Sequence, residues 1–170
     1  RVLFRSAESL QSLNLSGNKF SGALPEEWGN AGQRSRKMSW TAALEGLQTI
    51  DLSQNRITGT LPASWGNLFT LRMLHLAGNR LQGAVPEAWT NLVRLNVLDV
   101  RNNELTDIPR LTRIARLDTL RVERNRMGFL PLERLASVKN FTYSPQEIAL
   151  QRIADTTAVF DAPQIGRAHV

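Results

Sequence analysis

The chain of 170 residues contains no cysteine, one tyrosine and two histidines. The absence of cysteine excludes a disulfide framework and a thiolate metal site. No segment approaches the roughly 18 consecutive apolar residues that a membrane-spanning helix needs. The sequence also has no Walker phosphate loop and no Rossmann glycine fingerprint. What remains is a chain with 42% hydrophobic residues, enough for a folded core rather than a disordered segment.

The formal net charge is +6 at pH 7, a value that by itself favours anionic partners such as nucleic acid. The two terminal hexapeptides, residues 1–6 and 165–170, resemble translations of the two strands of one sequencing adapter, so we expect both to be adapter-derived. Without their three arginines the net charge falls from +6 to +3, an ordinary value. We therefore expect no nucleic-acid partner, and we expect an internal piece of a longer protein.

A leucine-rich motif recurs along the chain in the frame L-x-x-L-x-L-x-x-N-x-L. The first leucines of five copies are Leu10, Leu47, Leu71, Leu95 and Leu117, and their asparagines are Asn18, Asn55, Asn79, Asn103 and Asn125. A sixth copy begins at Val138 and lacks the asparagine. This self-similarity predicts a solenoid, because one short repeat cannot bury its apolar side alone and must stack on its neighbours.

Within each copy the x-L-x-L-x segment alternates with a period of two, which predicts a short strand with its leucines inward. Strands of successive copies are expected to stack in parallel on the concave face. The asparagine of each copy is predicted to bind backbone groups of adjacent turns, so its role is structural. Asn140-Phe141-Thr142 also fits the acceptor pattern for N-glycosylation, although three residues make a weak match.

The first three copies continue with a Gly-x-x-Pro motif, and each proline is followed three residues later by a tryptophan. These tryptophans are Trp28, Trp65 and Trp89, and we expect them to form a ladder on the convex side. One interpretation is an aromatic platform for sugars or bases. The favoured interpretation is core packing by large amphipathic rings.

The frame resembles that of leucine-rich-repeat proteins over about residues 10–144. Its Gly-x-x-Pro continuation resembles the plant-type repeat of receptor-kinase ectodomains, and residues 141–146 resemble the end of the array in bacterial secreted leucine-rich-repeat proteins. The resemblance implies an α/β fold: a right-handed, horseshoe-shaped solenoid with a parallel concave β-sheet of about six strands and an irregular or short-helical convex side. We expect the repeat domain at residues 7–144, and a linker or a truncated following domain at residues 145–164.

One interval in the repeat is longer than the others, since 37 residues separate Leu10 from Leu47. The insertion falls at about residues 30–39 and carries Arg34, Arg36 and Lys37. A loop that leaves a solenoid is a frequent binding device, so this basic loop is an alternative site, suited to an acidic partner. A solvated loop without a partner is the other interpretation. A short helix is predicted after it, at residues 40–45.

Outward positions of the predicted strands become charged in the third to fifth copies. His75, Asp99 and Arg121 occupy the central outward position, and Arg101 and Glu123 occupy the next one. Parallel strands lie about 4.8 Å apart, so we expect Asp99 beside Arg121 and Arg101 beside Glu123. These five residues are the candidate ligand-binding site. The alternative is a ladder of exposed ion pairs, each worth at most about 1 kcal/mol.

The sequence thus predicts a non-catalytic recognition module for a protein or glycan ligand. We expect it to be monomeric, to need no cofactor and no metal, and to belong to a secreted or cell-surface protein. His75 is the sole histidine between the expected adapter ends, which argues against a catalytic triad and a zinc site. Two alternatives remain open: the ectodomain fragment of a leucine-rich-repeat receptor kinase, and a passive structural spacer.

Overall fold

The computed structural model describes residues 10–30, 44, 46–128, 138 and 140–142. The expected adapter-derived ends and the expected linker at residues 145–164 lie outside these described residues. The same holds for the basic loop with Arg34, Arg36 and Lys37, and for the helix expected at residues 40–45 except Leu44.

Within the described residues, ten short strands form two parallel sheets. The concave sheet has the order β1-β3-β5-β7-β9-β10. Its strands are β1 (Ser12–Asn14), β3 (Thr49–Asp51), β5 (Met73–His75), β7 (Val97–Asp99), β9 (Thr119–Arg121) and β10 (Asn140–Thr142). Each covers the first three residues of the x-L-x-L-x segment that is predicted to form a short strand. Ile50, Leu74 and Leu98 pair in register and are buried to within 1% exposure, so stacked repeats share one continuous core.

The second sheet follows the turns of the first four repeats, with strand order β2-β4-β6-β8. Its strands are β2 (Ser21–Gly22), β4 (Arg56–Thr60), β6 (Arg80–Ala84) and β8 (Glu104–Asp107). The first three arise from the Gly-x-x-Pro segments, as the resemblance implies. The fourth repeat has lost that glycine and one residue, yet β8 forms with a register shift at Gly83/Ala84. Stacking on β6 therefore maintains the strand without the motif.

Short 3₁₀ helices lie on the convex side at Glu26–Asn30, Ala63–Asn67, Glu87–Asn91 and Leu111–Arg113. Trp65 and Trp89 are at most 1% exposed, and Trp28 is half-buried. The rings stack nearly parallel, with centroids 5.5 Å apart for Trp28 and Trp65 and 6.3 Å apart for Trp65 and Trp89. Each buried indole donates to a proline carbonyl of the preceding repeat, Pro25 or Pro62. Core packing of the ladder is confirmed.

In the second to fifth repeats, the asparagine joins its repeat to the repeat before. In the third repeat, Asn79 Nδ2 donates to the carbonyls of Leu52 and Leu76, and Asn79 Oδ1 accepts from the backbone N–H of Ile57 at 3.0 Å. Asn55, Asn103 and Asn125 make the equivalent bonds. These bonds satisfy buried backbone N–H and C=O groups that have no partner within the strands. The predicted structural role of the asparagines is therefore confirmed.

The residue before each of these asparagines adopts the left-handed conformation. Its φ lies between 54° and 69° in all five repeats, at Gly17, Gln54, Gly78, Asn102 and Arg124. Glycine adopts this conformation without strain, whereas a residue with a Cβ does so at a cost. The turn geometry is therefore kept even where the sequence does not supply a glycine.

Candidate functional site

The five predicted site residues lie together on the outer face of the concave sheet. Pairing of β5 with β7 places His75 opposite Asp99, and pairing of β7 with β9 places Asp99 opposite Arg121. Arg101 and Glu123 follow two residues after Asp99 and Arg121. The strand register thus brings onto adjacent strands side chains that are 22 to 24 residues apart in the chain.

Asp99 lies at the centre of this group and is 2% exposed. Its Oδ2 is 3.2 Å from Nε of Arg101 and 3.6 Å from Nη1 of Arg121. Its Oδ1 accepts the backbone N–H of Arg101 at 3.3 Å. Burial of an ionised carboxylate is costly unless it is paired and hydrogen-bonded, so the two guanidinium groups compensate Asp99. The expected Asp99–Arg121 neighbours are confirmed.

A second carboxylate extends the group toward the last described strand. Arg101 Nη1 lies 3.9 Å from Glu123 Oε1, and Thr142 Oγ1 donates to Glu123 Oε2 at 2.7 Å. The expected pairing of Arg101 with Glu123 is therefore confirmed, although at the outer limit for an ion pair. We call Asp99, Arg101, Arg121, Glu123 and Thr142 the concave network. Its two arginines balance its two acids, so it offers a pattern of donors and acceptors rather than a net charge.

His75 lies beside the concave network without joining it. The residue is half-buried and pairs in register with Asp99, but its ring makes no hydrogen bond or ion pair with any described residue. Both ring nitrogens are therefore available to a ligand. The structure places four of the five predicted residues in one bonded group and the fifth at its edge.

Arg101, two residues after Asp99, explains why the aspartate of the fourth repeat has different hydrogen-bond partners from the aspartate of the second. In the second repeat, Asp51 Oδ1 accepts from both the N–H and the Oγ of Ser53, so the acid is satisfied within its own turn. In the fourth repeat Arg101 replaces the serine, and the second oxygen of Asp99 binds arginines instead. This local Asx turn was not expected from the sequence, although the shared D-x-S and D-x-R spacing is its signal.

A pocket of about 590 Å³ opens at the edge where the concave strands begin, and the sequence analysis missed it. We call it the arginine pocket, since Arg72, Arg94 and Arg116 line it together with Met73, Asn96, Ala115, Leu117 and Asp118. The available signal was a pair of polar residues around the first leucine of a repeat, as in Arg94-Leu95-Asn96 and Arg116-Leu117-Asp118. Those residues lie outside the x-L-x-L-x segment, so its alternation with a period of two does not predict where they lie relative to one another.

The alternative site at Arg34, Arg36 and Lys37 lies outside the described residues, so its position relative to the concave network stays a prediction. Over the part of the chain that the structure describes, no helix has the length and apolar character to cross a membrane.

Parallel sheets built from 21–24-residue repeats define a solenoid repeat protein. Family models agree: one leucine-rich-repeat model matches residues 35–81 and 69–127, and another matches residues 9–31. The chain belongs to the leucine-rich repeat family. Comparison with curated protein sequences gives no match.

Solved structures with the same fold come from plants and from a bacterium. The ectodomain of the Arabidopsis thaliana receptor kinase GASSHO1/SCHENGEN3, in complex with CASPARIAN STRIP INTEGRITY FACTOR 2, is 32% identical with a TM-score of 0.65. The match covers 82% of this chain and 15% of that one. The plant peptide hormone receptor RGFR1, in complex with RGF2, is 28% identical with a TM-score of 0.65, covering 78% and 20%.

A leucine-rich-repeat protein of Leptospira interrogans is 28% identical with a TM-score of 0.66, covering 83% of this chain and 33% of that one. The chain thus spans about a third or less of the length of these three proteins. The expected leucine-rich-repeat solenoid, with its likeness to both plant receptor ectodomains and a bacterial protein, is confirmed.

Proposed function

We propose that the chain is a recognition module that binds a peptide or protein ligand through the concave network and His75. The observation that carries this proposal is the fixed position of Asp99. A carboxylate that is 2% exposed and bonded to two arginines holds both guanidinium groups in place. Side chains that are ordered before binding lose little conformational entropy when a ligand arrives.

The two arginines of the concave network retain N–H groups that can bind a ligand. Their side chains are 40% and 43% exposed for Arg101 and Arg121. Their ion pairs use Nε and Nη1 of Arg101 and Nη1 of Arg121, whereas each guanidinium carries five N–H donors. Together with the imidazole of His75 they present donors for carbonyl or carboxylate oxygens, while Glu123 presents acceptors for N–H groups. A polypeptide backbone supplies both kinds of partner.

The comparisons support a polypeptide ligand over a glycan. Two of the similar structures are receptor ectodomains solved in complex with another polypeptide, RGF2 or CASPARIAN STRIP INTEGRITY FACTOR 2. Ectodomains of this kind also support a place on a secreted or cell-surface protein, acting by binding and not by catalysis. The likeness extends to a bacterial protein, so the choice between a receptor-kinase ectodomain and a secreted protein depends on the full-length coding sequence.

The test selects peptides from a random displayed library on the immobilised 170-residue chain and measures Kd for the best of them. The concave variant combines Asp99→Asn with Arg121→Gln, which conserves the net charge. We expect it to weaken binding by about tenfold or more, a change of about 1.4 kcal/mol. The matched control combines Glu104→Gln with Arg126→Gln, an ion pair of 3.2 Å on the second sheet, and should leave Kd within about twofold.

A third variant replaces Arg34, Arg36 and Lys37 by serine. If this loop variant alone loses affinity, the insertion is the functional element and the concave proposal is wrong. Equal binding by all variants would contradict the proposal as well. The circular dichroism spectrum of each variant shows whether a loss of binding comes from a loss of fold.

A further inference from the structure

We infer a second interaction surface, the arginine pocket, which fits an acidic peptide segment of a partner protein. The pocket is separate from the concave network: its residues lie before the strands or, for Met73, at the first strand position, whereas the network lies at the strand ends and beyond. The pocket contributes one arginine from each of three successive repeats, Arg72, Arg94 and Arg116. Asp118 is the one acid among its lining residues, which leaves the lining with a net positive charge.

The three arginines are available to a partner. All three are exposed, and within the described ranges no salt bridge joins any of them to an acid. This contrasts with Arg101 and Arg121, whose charges are balanced by Asp99 and Glu123. Three guanidinium groups beside the single carboxylate of Asp118 leave an excess of positive charge, which attracts an anionic group. Guanidinium groups bind carboxylates through paired hydrogen bonds.

Exposed apolar side chains lie along the same edge. Phe69, Met73 and Val93 are 57%, 38% and 54% exposed, and Met73 lines the pocket. Phe69 and Val93 both precede the first leucine of their repeat by two residues, the position that Ala115 holds in the pocket wall. A partner that alternates acidic and apolar side chains would satisfy both the arginines and these apolar groups.

Asp118 favours a peptide over a nucleic acid. Its Oδ2 is held by Asn140 Nδ2 at 3.1 Å and by Thr119 Oγ1 at 3.3 Å, so the carboxylate stays in the pocket wall. There it can accept a hydrogen bond from a peptide N–H, a donor that a sugar-phosphate backbone lacks. The combination of arginines, apolar groups and one fixed acceptor fits an acidic polypeptide with interspersed leucines.

The experiment measures fluorescence anisotropy of a labelled Glu-Leu-Glu-Glu-Leu-Glu peptide with the 170-residue chain. The pocket variant carries Arg72→Gln, Arg94→Gln and Arg116→Gln, and we expect it to raise Kd by about tenfold or more. The matched control carries Arg56→Gln, Arg80→Gln and Arg110→Gln, three exposed arginines elsewhere. It has the same net charge and should stay within about twofold. Peptides with glutamine for glutamate, or serine for leucine, should bind more weakly.

Several results would overturn the inference. They are the absence of measurable binding, an equal loss in the pocket and control variants, and an oligothymidylate of equal charge that binds as tightly and depends on the same arginines. The last result would assign the pocket to nucleic acid. The concave variant Asp99→Asn with Arg121→Gln should leave binding of this peptide unchanged, so failure here and failure of the concave proposal are distinguishable.

Discussion

Gly66 packs against the backbone carbonyl of Ala88 in the 3₁₀ helix of the next repeat so closely that a Cβ atom would overlap that carbonyl. Gly29 has the same relation to Ser64 one repeat earlier. The equivalent position in the third repeat is Thr90, which a side chain can occupy because the following helix, Leu111–Arg113, has three residues instead of five. The side chain beside the tryptophan thus occurs where the following helix is the shorter one.

Gly66→Ala is expected to lower the free energy of unfolding by about 2–3 kcal/mol, because the added methyl group must displace backbone of the neighbouring repeat. Thr90→Ala is the control, and it should cost about 1 kcal/mol through loss of its bond to the Glu87 carbonyl. Urea denaturation of both variants measures the difference. Equal effects at the two positions would show that the close approach at Gly66 is not energetically important.

Replacing Asn79 with Leu should destabilise the chain by about 2–4 kcal/mol, since the buried N–H of Ile57 loses its partner and the carbonyls of Leu52 and Leu76 each lose one of two asparagine donors. Asn18→Leu is the matched change at the same frame position. Asn18 is exposed and bonds only carbonyls of its own repeat, those of Leu15 and Ser16. Its replacement should cost less than about 1 kcal/mol, and thermal melts that rank the two variants the other way would refute this account.

Arg124→Gly is expected to stabilise the chain by up to about 1 kcal/mol. Arg124 has a φ of 55°, a conformation that costs a residue with a Cβ about 1–2 kcal/mol. Glycine removes this strain, and the free energy gained exceeds the entropic cost of ordering a glycine. Arg80→Gly is the control, because Arg80 is exposed on β6 and its φ is not positive. The control should lose about 0.5–1 kcal/mol. A loss of stability in both variants would mean that Arg124 is not strained.

A double-mutant cycle of Asp99→Asn and Arg121→Gln should give a coupling energy of about 1 kcal/mol. The distance of 3.6 Å and the 3% exposure of the Asp99 side chain favour coupling, whereas the 43% exposure of Arg121 limits it. The same cycle on Glu104 and Arg126, whose side chains are 30% and 52% exposed, should give a smaller value that falls with added salt. A coupling energy of zero between Asp99 and Arg121 would contradict the conclusion that the side chains of the concave network are ordered before a ligand binds.

The period of the repeat was sufficient to predict the strands and their register. The alternation of inward leucines with outward polar residues placed His75, Asp99 and Arg121 on adjacent strands, and the structure pairs them so. The same reasoning did not reveal the burial of Asp99 or its shorter contact with Arg101 of its own repeat. Those features depend on side-chain rotamers and on a local turn, which a periodic pattern does not specify.

Other features could not be predicted from the repeat motif, each for a different physical reason. Phe20 occupies the last position of the motif, yet it is 48% exposed, because no described residue of an earlier repeat stacks against it. The strand β8 persists without the Gly-x-x-Pro sequence, since pairing with β6 overrides the local preference. The arginine pocket arises between loops of three repeats, and a distance between loops cannot be inferred from the frame of each strand.

The tryptophan ladder gives the molecule an optical reporter of its N-terminal half. All four tryptophans of the chain occur at or before residue 89, and the three on the ladder have ring centroids 5.5 and 6.3 Å from their neighbours. Excitation can pass between rings at such distances, so the three ladder indoles contribute to the emission as one unit and not as three separate indoles. Because four of the five candidate binding residues, Asp99, Arg101, Arg121 and Glu123, lie in later repeats, and only His75 shares a repeat with the ladder, intrinsic fluorescence follows mainly the stacking of the early repeats. Emission therefore monitors the early repeats, whereas backbone circular dichroism monitors the whole solenoid.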